Sequence, residues 1–226
     1  MKKCNVLSGL AALLLSTSAF SAATINYADP VPEKGIGYEW TVDMEHKGVL
    51  TTADFVRHVG AKSSFEPSNP APEVGWQHTS DWVALQLREK SLLTIEVSNQ
   101  RGVHFTTVGT DGKAVESTAG QGYFPAFSLY SGWDDTSTEV HTFNPVGNFW
   151  STVKFIDAAY IQQAQAIHGG ETVRSIKKQF ILPAGKYSIN IGGINALYCD
   201  TTLPCYNGRH GYRAKLSAEP MPKAVE

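Results

Sequence analysis

Short alternating segments, separated by Gly, Pro, Asn and Asp, recur along most of this chain. Leu92-Leu93-Thr94-Ile95-Glu96-Val97 puts apolar and polar side chains on opposite faces of an extended backbone, and Tyr187-Ser188-Ile189-Asn190-Ile191 does the same. Residues 103–108, 126–130, 149–155, 175–182 and 211–216 read as further strands. No helical crossover separates them, so they are antiparallel candidates. The expected fold is all-β: an antiparallel β-sandwich or jelly-roll-like arrangement with one or two short helices. The helical candidates are 51–59, with a Thr-Thr-Ala-Asp start, and 156–167, which carries four alanines. Residues 63–73 contain Pro67, Pro70 and Pro72 and are expected to form an extended loop.

The N-terminus has a different character. Lys2 and Lys3 precede a mostly apolar run over 6–15, and small residues follow at Ala19, Ser21, Ala22 and Ala23. This is the pattern of a secretory signal peptide, expected to span 1–22, with a single β-rich domain over 23–226. The apolar run is too short to anchor the chain across a bilayer. Cys4 lies ahead of that run, so it cannot become a lipidated first residue, and no lipid anchor is implied. The mature chain is expected to be secreted or held at the cell's outer surface.

Removing the signal lowers the 19 basic residues to 17 against 21 acidic ones, a formal charge of −4. That balance argues against nucleic acid and anionic membranes as partners. Of the 3 cysteines, Cys199 and Cys205 remain after export, and an oxidising compartment favours a local disulfide between them.

Two stretches concentrate residues able to carry chemistry. Gly75-Trp76-Gln77-His78-Thr79-Ser80-Asp81-Trp82, if extended, puts Trp76 and His78 on one side. The second runs from Phe124 through Tyr130, Trp133, Asp134 and Asp135 to His141-Thr142-Phe143-Asn144-Pro145, a strand, an acidic loop and a tight turn. Asp134 and Asp135 are candidates for a surface calcium ion, although paired Asp residues are more often a solvated turn. The chain has no His-Glu-x-x-His and no Gly-x-Ser-x-Gly, so a hydrolase is not expected.

Four elements together resemble the secreted copper-binding proteins of methane-oxidising bacteria: Trp76-x-His78, the Tyr-Phe-Pro-x-Phe-x-Leu-Tyr strand over 123–130, His-Thr-Phe-Asn-Pro-x-Gly-Asn-Phe over 141–149, and the Leu-Pro-Ala-Gly-Lys-Tyr-Ser-Ile run over 182–193. The resemblance implies one Cu(I) ion held by two histidine nitrogens, a water and the aromatic amine of a kynurenine formed from tryptophan. Carried over, it places the modified residue at Trp76 and ligands at His78 and His141, with His104 and His168 as alternatives for the second histidine. It also implies a role in copper acquisition or scavenging, with the protein that receives the copper unspecified.

Three other readings compete. A blue-copper site could draw on Cys205, His210 and Met221, but Cys205 has an expected disulfide partner. A copper oxygenase would need an N-terminal histidine that export does not expose. A secreted, non-catalytic sandwich that binds carbohydrate or acts in surface adhesion would use the 5 Trp and 9 Tyr as a stacking face.

Overall fold

The computed structural model describes residues 20–27, 38–45, 47–60, 64–65, 80–100, 104–108, 113–118, 125–134, 153–159, 175–194 and 209–222. Fourteen strands occupy these stretches: β1 (Phe20–Ala22), β2 (Thr24–Tyr27), β3 (Trp40–Met44), β4 (Leu50–Gly60), β5 (Ser64–Phe65), β6 (Asp81–Leu87), β7 (Ser91–Asn99), β8 (His104–Val108), β9 (Ala114–Thr118), β10 (Pro125–Ser131), β11 (Lys154–Ala159), β12 (Ser175–Leu182), β13 (Gly185–Ile194) and β14 (Arg209–Pro220). They form a five-stranded sheet ordered β1-β4-β14-β7-β12 and a seven-stranded sheet ordered β11-β10-β13-β6-β3-β2, with β5 beside β13. β8 and β9 form a separate two-stranded hairpin. The two large sheets pack face to face as a β-sandwich.

The fold class agrees with the alternation in the sequence, with two corrections. Residues 51–59 are not helical: they lie in β4, which pairs antiparallel with β14 over ten positions from Thr51↔Ala218 to Gly60↔Arg209. Thr51, Ala53, Phe55 and Val59 are buried while Thr52, Asp54 and Val56 are exposed, a period of two that the Thr-Thr-Ala-Asp start disguises as a helix cap. β-branched Thr and Val also suit the pleat better than a helix. Of the second helical candidate, 156–159 belong to β11, paired antiparallel with β10, and 160–167 lie outside the described residues.

The sheets are also mixed rather than wholly antiparallel. β1 runs parallel to β4, β3 to β6 and β5 to β13. Between β3 and β6 the chain crosses to the other sheet and back through β4. It re-enters in its original direction without the helical crossover the sequence argument required.

The core between the sheets holds Val42, Leu85, Leu93, Ile95, Leu129, Ile189 and Leu216, each no more than 1% exposed. The outward face of the five-stranded sheet is mostly polar, with Val56 and Ile181 exposed on it, and β7 alternates strictly between buried and half-exposed positions from Ser91 to Ser98. The centre of the seven-stranded sheet differs: residues 81–85, 125–130 and 187–192 are all buried, whichever way they face. Its outward face carries a second apolar cluster of Tyr38, Trp82, Ala84, Tyr130 and Val153, with Trp133 packed against it.

Candidate metal centre

Trp76, His78, His141, His168, Asp135, Phe143, Cys199 and Cys205 lie outside the described residues. His104 is described: it opens β8 opposite Thr118 and is exposed. The described residues show where the chain carries the motifs. Trp76-x-His78 is followed within three residues by β6, residues 125–130 of the second motif lie in β10, and residues 185–193 of the fourth lie in β13. β13 lies between the other two, pairing with β10 from Pro125↔Gly193 to Ser131↔Tyr187 and with β6 from Asp81↔Ile191 to Leu87↔Gly185. Two of the motif elements are thus adjacent strands, and β6, which follows the third in the chain, flanks them; the centres of all three strands are buried on both faces.

Strands covered on both faces are ordinarily continuous apolar runs. These instead carry polar side chains on the outward face. The Tyr38 hydroxyl lies 2.6 Å from Ser188 Oγ and accepts the Asp134 backbone N–H at 2.7 Å, and Ser188 donates to the Gly132 carbonyl at 2.7 Å. Gly132 has φ +90°, a turn conformation that a side chain would strain. Asp134 is 1% exposed, so it does not sit in a solvated turn. Asn190 donates through Nδ2 to Ser80 Oγ at 2.9 Å, tying down the residue two positions after His78. Ser128 lies directly opposite Asn190, and Ser128 Oγ and Asn190 Oδ1 are both buried without a hydrogen-bond partner. Trp82 closes this face, its ring 5.6 Å from Tyr130 and 6.5 Å from Tyr38.

The inward face at the start of β6 holds a charged network. Trp40 Nε1 donates to the Tyr212 hydroxyl at 3.0 Å, which donates to Asp81 Oδ2 at 2.7 Å. Arg57 Nε lies 3.4 Å from the same oxygen. The Glu39 carboxylate accepts the Trp82 backbone N–H. Burial, then the neighbouring Asp81, push Glu39 up to about 8, against the weaker pull of that N–H and of Arg57. Two carboxylates face one guanidinium here, so keeping Glu39 protonated avoids a buried excess of negative charge.

Glu39, Arg57, Asp81 and Tyr212 converge from four strands or strand ends, and sequence reasoning passed over all but Asp81, which stood in the Trp76-His78 stretch without a role. Parity offered one signal: in β4 the inward positions run Thr51, Ala53, Phe55, Arg57, Val59, placing a cation on the apolar side. Among the described residues no group of three or more His, Cys, Asp and Glu side chains is placed to hold a metal.

The geometry also weighs the competing readings. His210 and Met221 stand at and just beyond opposite ends of β14, eleven residues apart, or roughly 36 Å along an extended strand. They cannot share a blue-copper ion. Trp40 and Trp82 are buried at 9% and 7% exposure, and Trp133 donates to the Leu85 and Tyr187 carbonyls with Lys186 Nζ 4.4 Å over its ring. The described tryptophans therefore offer no open stacking face for a sugar. Among the described residues no helix is long and apolar enough to cross a membrane.

No protein family matches the chain, and no curated protein matches it. Among solved structures it is similar to CorA, a surface-associated copper-binding protein important in copper acquisition by Methylomicrobium album BG8, at 16% identity and a TM-score of 0.47, covering 79% of this chain and 97% of that one. It is also similar to MopE, a secreted protein of Methylococcus capsulatus in which an oxidized tryptophan facilitates copper binding, at 12% identity and a TM-score of 0.41, covering 88% of this chain and 99% of that one. At these identities the likeness is one of fold alone.

Proposed function

We propose that this protein binds one copper ion, as Cu(I), outside the inner membrane, and serves copper acquisition or scavenging rather than catalysis. The ligands are His78, His141 and the amine of a kynurenine made from Trp76. The observation that supports this reading is that two of the motif elements form adjacent strands β10 and β13, with β6, the strand that follows Trp76-His78 in the chain, on the other side of β13 and Ser80 held by Asn190. A metal site gains precision when its ligand segment is fixed to a rigid scaffold.

Neutral imidazoles suit copper, and a donor set free of thiolate and carboxylate suits the reduced ion. An indole has only an N–H to offer and no lone pair for a metal. Oxidation by dioxygen opens the ring between its C2 and C3 atoms to give N-formylkynurenine. Water then releases formate and leaves a free aromatic amine, a net loss of one carbon and gain of one oxygen.

The test is metal analysis with peptide mass mapping of protein purified from its own host. One copper per chain and that mass change on the Trp76 peptide support the reading, and His78→Ala then abolishes copper binding. His141→Ala decides the second ligand: retained copper moves that role to another histidine. A copper-free chain with intact Trp76 overturns the proposal.

A further inference from the structure

The segment 20–27 is one extended run that belongs to both sheets. Phe20–Ala22 pairs parallel with β4 in the register Phe20↔Leu50, Ser21↔Thr51, Ala22↔Thr52. The Ala23 backbone N–H then donates to the Thr52 carbonyl at 2.8 Å. From Thr24 the chain continues in the opposite sheet, antiparallel to β3 from Thr24↔Asp43 to Tyr27↔Trp40. Ala23 and Ile25 pack against the main core at the crossing. β1 is also the outermost strand of its sheet, covering the β4 edge where Thr51 is buried to 1% exposure. Without it, β4 would present an unpaired edge, which folded proteins avoid.

The export signal expected over the first residues must therefore be removed without cutting this run. Signal cleavage requires small side chains at the first and third positions before the cut. Five nearby triplets satisfy that rule: Ser16-Thr17-Ser18, Thr17-Ser18-Ala19, Ala19-Phe20-Ser21, Ser21-Ala22-Ala23 and Ala22-Ala23-Thr24. Cutting after Ser21 would leave a single residue of β1 with a charged amine on it. Cutting after Ala23 would remove β1 and the Ala23–Thr52 bond together. Only the first two triplets leave the run whole, and of these only Thr17-Ser18-Ala19 ends in the alanine that the A-x-A pattern favours next to the cut.

We infer that a signal peptidase hydrolyses the Ala19–Phe20 peptide bond, so that the mature chain begins at Phe20 and keeps β1. The amide C–N bond breaks, water supplies hydroxide to the Ala19 carboxyl and hydrogen to the Phe20 amine, and no redox partner is involved. The expected cut thus moves upstream of the 21–23 boundary that small residues alone suggest. This inference is independent of the copper reading.

The experiment is N-terminal sequencing and intact-mass measurement of the exported protein from its own host. Phe20 as first residue supports the inference, whereas Ala22, Thr24 or an uncut Met1 overturns it. A paired substitution reads the same point from the precursor. Ala19→Leu should block processing or move the N-terminus, while Ala23→Leu should leave it at Phe20. The reverse pattern, with Ala23→Leu blocking the cut and Ala19→Leu neutral, overturns the assignment whether or not either variant folds as well as the parent.

Discussion

The two faces of the five-stranded sheet treat charge in opposite ways. On the outward face of the five-stranded sheet, Arg213 Nε and Nη2 hold Asp54 at 2.7 and 2.5 Å with both side chains more than 40% exposed. On the inward face at the start of β6, Asp81 is 6% exposed and meets the buried Tyr212 and an Arg57 side chain that is 23% exposed. The first pair decorates a sheet that alternation and core burial already hold together. The second sits where the Trp76-His78 segment joins the sandwich, beside strands covered on both faces.

The largest expected effect breaks the buried member of this comparison. Asp81→Ala leaves Arg57 and the Tyr212 hydroxyl facing an empty acceptor position, and should cost about 3 to 5 kcal/mol in denaturant unfolding. A loss below about 1 kcal/mol would place the network in solvent after all.

Glu39 sharpens the same point through pH. Its carboxyl titrates near about 8 in the folded chain against an ordinary 4.5. Across that window the folded state keeps a proton that the unfolded state has released, so stability falls as pH rises from about 4.5 to about 8, by at most about 1.4 kcal/mol per pH unit. Above the folded value the loss is complete and the curve levels. Glu39→Gln keeps an oxygen for the Trp82 N–H and removes the titration. Its stability should be flatter across the window and should exceed the parent's at pH 9. Identical pH profiles for the two proteins would refute the assignment.

The outward face of the seven-stranded sheet gives an intermediate effect. Tyr38→Phe strands the buried Asp134 N–H and removes a partner of Ser188, an expected loss of about 1 to 3 kcal/mol. Asn190→Ala releases Ser80 without touching any proposed ligand. If the copper reading holds, the folded variant should bind copper more weakly than the parent; unchanged affinity in a copper-binding parent would show that this tie does not position the site.

The contrast between the sheets also explains what the sequence made legible. β7, β12 and β14 have one wet face, so their side chains alternate and the strands at 92–97, 175–182 and 211–216 were visible before any coordinates. Asp81-Trp82-Val83-Ala84-Leu85 shows no alternation because both its faces are dry, and period-two reasoning cannot find such a strand. Residues 51–59 alternate yet read as a helix, because Thr, Thr and Asp at their start are as natural to a cap as to a pleated edge. The Glu39-Arg57-Asp81-Tyr212 network was illegible for another reason. Its members lie up to 173 positions apart and meet only through the parallel β3–β6 pairing and the sandwich contact, neither of which local patterning encodes. The proposed ligands, by contrast, came from short motifs, and the structure adds the adjacency of β10, β13 and β6.

The smallest effect belongs to the exposed pair, and it tests whether exposure really divides the two networks. The hydrogen bonds from Arg213 hold the Asp54 carboxyl below its ordinary 3.8. A depressed folded value means that the pair's contribution is present above 3.8 and is lost as pH falls through the folded value, the reverse of Glu39. Solvent screening limits that contribution to about 0 to 1 kcal/mol. Asp54→Ala should therefore shift stability by no more than this at neutral pH, and less still in 1 M salt, where the Debye length shrinks to about 3 Å. The Asp81 loss should respond less to the same salt, because Asp81 and Arg57 are 6% and 23% exposed against more than 40% for both members of the Asp54 pair. Equal salt sensitivity at the two sites would erase the distinction between them.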